Sequence, residues 1–100
     1  MEKVVGILGG MGPFATVDFY KQILLATHAK KDWEHLRILI DSNVKIPSRT
    51  RAILYGEESP APAMVKSINN LTRIGADFVV VPCNSAHYFY KEVGFWDEES

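Results

Sequence analysis

The chain has a single cysteine, Cys83, in 100 residues. No intrachain disulfide can form, and a lone thiol fits a reducing compartment, so the protein is expected in the cytoplasm. A basic excess is also missing. Eleven Lys+Arg stand against 12 Asp+Glu, a formal net charge of −1. Nothing in that balance recruits a polyanion, so no nucleic-acid partner is expected. A long hydrophobic run is absent too. Met1-Glu2-Lys3 leads into a short apolar stretch that Gly9-Gly10 interrupts, too short for a signal peptide or a membrane span. Internal repeats, low-complexity segments and linkers are likewise absent. What remains is 47% hydrophobic and 23% charged, the composition of an ordinary soluble globular chain. Its length allows one domain with one modest core.

Apolar periodicity divides that domain into strands and helices. Val4 to Leu8 is nearly continuous and apolar, as in a strand buried on both faces of a parallel sheet. Gly9-Gly10-Met11-Gly12 reads as a tight turn, and Pro13 suits the first position of a helix. The helical pattern runs from Phe14 to about Lys30, with Val17, Tyr20 and Leu24 on one face. A second apolar run, Leu36 to Ile40, ends at Asp41. Ser42 to Ser59 reads as a long polar connection, of the kind that often carries function. Pro60 and Pro62 open a second helix, with Met64, Ile68 and Leu71 at helical spacing and Gly75 as its C-cap. Phe78 to Val81 reads as a third buried strand, Pro82 to Ser85 as a turn, and Ala86 to Val93 as a third helix. The order βαβαβα predicts an α/β fold with an open parallel sheet. Such a sheet leaves two edges and little cover, so the chain reads as part of a larger unit that self-associates, a homodimer being the simplest form. Gly94-Phe95-Trp96 followed by Asp97-Glu98-Glu99-Ser100 reads as a separate acidic tail.

Ligands in open α/β sheets bind beyond the carboxyl ends of the strands. Three segments fall there: Gly9 to Pro13, Asp41 to Arg49, and Cys83 to Ser85. Cys83 stands between a strand and a helix N-terminus, where backbone N–H groups favour a thiolate that can act as base or nucleophile. A lone cysteine can equally be a small buried hydrophobe. His87 lies four residues on and could pair with it, or be structural or solvated. Asn84 and Ser85 could cap the third helix or hold a carboxylate. Gly10-Met11-Gly12-Pro13-Phe14-Ala15 fits G-x-G-x-x-A, a pattern that also marks dinucleotide sites. Asp41, however, stands about thirty residues beyond the glycines, where roughly twenty is usual. Arg49 and Arg51 could fork a carboxylate or simply be solvated. Asp18 and Lys21 are spaced for an exposed ion pair. Trp33 and Trp96 fit either core or interface.

Three blocks, taken in order, resemble the aspartate/glutamate racemase family. They are Gly6-Ile7-Leu8-Gly9-Gly10-Met11-Gly12-Pro13; Asp41-Ser42-Asn43 with Ile46-Pro47-Ser48-Arg49; and Gly75-Ala76-Asp77 through Val81-Pro82-Cys83-Asn84-Ser85-Ala86-His87. The resemblance covers residues 1–93, the N-terminal lobe, and leaves 94–100 as a divergent acidic tail. It implies two similar α/β lobes with the active site in the cleft between them. It also implies a reaction without pyridoxal phosphate, metal or other cofactor, in which two cysteines flank the α-carbon of an acidic amino acid. Carried over, Cys83 is the catalytic cysteine of the first lobe. Asn84 and Ser85, helped by Gly10 and Met11, hold the α-carboxylate, and Arg49 holds the side-chain carboxylate. Ser85 stands where the family commonly has Thr. The second cysteine belongs to a second lobe, and this sequence holds neither. One thiol serves one face of an α-carbon, so this chain alone is not expected to racemise. A dicarboxylate-binding lobe without turnover is the alternative, and a dinucleotide-binding domain a more distant one.

Overall fold

The computed structural model describes residues 2–94. The expected α/β architecture is present. Strand β1 spans Val4–Gly9, β2 Arg37–Ser42 and β3 Phe78–Val80. They form one parallel sheet in the order β2-β1-β3, so the first strand is central. Val4 pairs with Arg37 through to Gly9 with Ser42, and Val5 to Ile7 pair with Phe78 to Val80. The centre explains the composition of β1. Buried from Val5 to Gly9, it matches the continuous apolar run. The outer strands differ from the expectation of full burial. β2 is made of exposed and half-buried residues with none fully buried, and Phe78 at the start of β3 is 49% exposed. An edge strand keeps a wetted side however apolar its sequence.

Helix α1 spans Pro13–Ala26, with Pro13 in its first turn after Gly12. It ends at Thr27, whose hydroxyl bonds the carbonyl of Ile23 at 2.8 Å. The expected face of Val17, Tyr20 and Leu24 is not the one that packs. Thr16 is the buried residue of the helix, and Val17 and Tyr20 face water. A helix with apolar residues on several sides does not reveal its buried stripe by period alone. The expected Asp18–Lys21 pair is replaced by an amide contact, Gln22 Nε2 donating to Asp18 at 2.7 Å. Trp33 is exposed beneath the Lys31 ammonium, and Trp96 and the rest of the acidic tail, 95–100, lie outside the described residues.

The stretch expected to be irregular contains a helix. α2 spans Arg49–Tyr55, capped by the Ser48 hydroxyl, which accepts the Arg51 N–H at 3.1 Å, and stopped by left-handed Gly56. α3 spans Ala61–Arg73 and packs across all three strands. Its Met64 and Leu71 are buried and Ile68 partly so, as their spacing requires. Its C-terminus is a Schellman motif. Gly75, at φ +119°, donates to Thr72 O, and Ala76 donates to Leu71 O. Ala76 and Leu71 then meet in the core with Leu8, Met11, Ile46, Met64 and Ala86. The third helix divides into a 3-10 turn at Ser85–Phe89 and a short α4 at Tyr90–Val93, which packs against α3.

Candidate functional site

All three strands run the same way, so their carboxyl ends share one rim. Gly9 stands beside Ser42, and the Asn43 N–H donates to the Gly9 carbonyl at 3.2 Å. This bond ties the first glycine turn to the segment after β2. The contact is closer still at Gly10, which has φ +89°. A Cβ there would lie 2.4 Å from the Asn43 backbone. Gly10 is therefore required by the neighbouring chain. In a dinucleotide site the glycine clears space for a pyrophosphate, and here that space holds protein. The Met11 side chain is buried in the core, so its part in any binding falls to its backbone.

Beyond β3, Val81 and Pro82 carry the chain into the Cys83 turn. The Cys83 N–H donates to Val81 O at 2.9 Å, and its carbonyl accepts the Ala86 N–H at 3.2 Å. Ala86 is fully buried and pins the turn to the core. Cys83 is half-buried, with Sγ 3.4 Å from the Ser85 hydroxyl. That hydroxyl can donate to a thiolate. The helix beginning here is a 3-10 turn, shorter than the α-helix expected from the sequence. Neither Asn84 nor Ser85 caps it through a side chain. The N–H groups of both have no bonding partner among the described residues. His87 Nε2 lies 2.9 Å from Val81 O, anchoring the imidazole to the strand exit.

The two loop arginines separate cleanly. Arg51 is bidentate to Glu57, Nε at 2.8 Å and Nη2 at 2.6 Å. This pair is solvent-exposed, and its hydrogen bond raises the Arg51 pKa above the ordinary value. Arg49 opens α2. Its Nη1 donates to Ile46 O at 3.2 Å and Pro47 O at 3.0 Å. Its Nε is buried with no partner. One corner of the guanidinium is thus anchored while the Nε–Nη2 edge, the edge that grips a carboxylate side-on, makes no bond among the described residues. α2 packs against the Ser85–Phe89 turn, which brings the arginine's helix to the cysteine's.

Three residues with no expected role hold this rim together. Thr16 bonds the glycine turn, and Asn43 Nδ2 donates to Ser67 Oγ on α3 at 2.9 Å. Ser67 is a polar residue on the apolar face of an amphipathic helix, a signal readable in sequence. Thr16 shows no such anomaly. Among the described residues, no group of three His, Cys, Asp or Glu side chains gathers to hold a metal.

A parallel α/β lobe with glycine, arginine and cysteine segments on one rim defines a domain of the open-sheet α/β class. The matches narrow that class. The Asp/Glu/hydantoin racemase family model matches residues 8–94, and the chain belongs to that family. It is 29% identical to the broad specificity amino-acid racemase RacX of Bacillus subtilis (strain 168), over 90% of this chain and 40% of that protein. The Picrophilus torridus aspartate racemase structure superposes with a TM-score of 0.86 at 41% identity, over 90% of this chain and 39% of that one. The chain thus spans about 40% of the length of these relatives.

Proposed function

We propose that this lobe supplies one half of an amino-acid racemase site for aspartate or glutamate, with Cys83 as a proton-transfer group. One observation carries the choice of an acidic substrate. Arg49 is fixed by Nη1 while its buried Nε lacks a partner, the state of a fork awaiting a carboxylate. The free N–H groups of Asn84 and Ser85, with that of Met11, suit the α-carboxylate.

The chemistry follows from that placement. The Cys83 thiolate takes the α-proton and becomes a thiol. The electron pair left on the α-carbon delocalises into the α-carboxylate, whose growing charge the backbone N–H groups stabilise. A proton delivered to the opposite face by the remainder of the site completes inversion. The Ser85 hydroxyl lies 3.4 Å from the sulfur, within reach of the base. No cofactor is needed for these steps. A lone thiol supports the reading of a reducing compartment such as the cytoplasm. Among the described residues no helix is long and apolar enough to cross a membrane.

A full-length protein carrying this lobe is expected to exchange the α-hydrogen of aspartate with D₂O, and its Cys83→Ala variant to lose that exchange. Undiminished exchange in the variant rules out Cys83 as the base. A second reading is a lobe that holds a dicarboxylate without turnover, which the open Arg49 edge and the free N–H groups support as well. Aspartate binding without exchange by the full-length protein would select it.

A further inference from the structure

The Gly9–Gly12 turn offers several backbone N–H groups, and the structure distinguishes between them. The Gly10 N–H is already engaged, donating to Thr16 Oγ1 at 2.8 Å. The same hydroxyl donates onward to Gly12 O at 2.9 Å, so one side chain bridges both limbs of the turn. Thr16 is 4% exposed and held on its other side by Gly9, where a Cβ would lie 2.4 Å from Thr16 Cγ2. The hydroxyl therefore has little room to turn away. The N–H groups of Met11 and Gly12 have no partner among the described residues.

We propose that Thr16 is a positioning residue of the substrate site. Its hydroxyl withdraws the Gly10 N–H from the ligand and leaves Met11 and Gly12 as the donors that the turn presents to a carboxylate. This inference rests on the acidic amino-acid reading and refines it. Gly10 shapes the turn, and the adjacent amides do the binding. The hydroxyl is essential to that role and the methyl is not, so serine should replace threonine and valine should not. Valine keeps the shape of the side chain but can neither accept from Gly10 nor donate to Gly12.

The test uses the full-length protein carrying this lobe, ¹⁵N-labelled and titrated with aspartate. In the unsubstituted chain, the Met11 and Gly12 amide resonances should move, and the Gly10 amide should stay slow to exchange with solvent. Thr16→Ser should preserve both behaviours. Thr16→Val should speed Gly10 exchange on the order of tenfold and abolish the Met11 response, while the Arg49 response persists. General loss of structure would remove the Arg49 response as well. Should Thr16→Val fail to fold, Thr16→Ala removes the hydroxyl without adding bulk against Gly9. A Met11 response that survives in the folded hydroxyl-less variants overturns the inference and leaves the proposed function standing. Equal Gly10 exchange in the unsubstituted and hydroxyl-less chains overturns it in the same way. No aspartate-dependent shift anywhere in the unsubstituted chain overturns both.

Discussion

At the scale of single residues, two arginines two positions apart have separate fates. Arg51 is answered by Glu57, and Arg49 keeps an open edge. Composition and spacing treat them alike, because the difference lies in where Glu57 falls after the chain coils. Arg49→Ala is expected to weaken aspartate binding by about 2 kcal/mol, the value of a charge-assisted bond, roughly thirtyfold in affinity. Arg51→Ala is expected to leave binding unchanged. Calorimetry on the two variants separates them, and equal losses would remove Arg49 from the site. The position of Cys83 at a strand-end turn was legible at this scale, because the apolar run before it marks the exit of a strand. Thr16 was not legible. A threonine inside a helix becomes informative only when the glycine carbonyl and amide it bridges are seen.

Among the elements, the central strand and the amphipathic α3 were legible, because β1 is buried on both faces and α3 on one. α2 was hidden by its length, seven residues being too short for a period. Its signals were punctuation, Ser48 at the start and Gly56 at the end. α1 was found and its face misassigned, for its apolar residues surround the axis. The α3 terminus gives the clearest stability prediction. Gly75 has a backbone that L side chains rarely adopt, and its motif brings Ala76 against the core. Gly75→Ala should cost more than about 1 kcal/mol. In a domain this small the melting midpoint should fall by roughly 4–8 °C for each kcal/mol. An unchanged midpoint would mean that the Schellman turn contributes nothing to the fold.

Across the described residues, the central strand of the sheet is better covered than the outer two. On α1, Phe14 is 90% exposed, Val17 66% and Leu25 75%, and among the described residues the outer strands each keep an unpaired edge. Apolar surface of this kind favours association. The proposed homodimer should appear in sedimentation as a species of twice the chain mass, and Phe14→Ser with Leu25→Ser should shift it towards monomer. A monomer at all concentrations for the unsubstituted chain would count against that proposal. One contact inside the lobe reaches across the same scale. Because Gly10 closes directly on the backbone of Asn43, the glycine turn and the segment leading to Arg49 form one mechanical piece despite their separation in sequence. Anyone grafting this rim onto another scaffold would have to transplant both segments together, since either alone would arrive without the surface that shapes it.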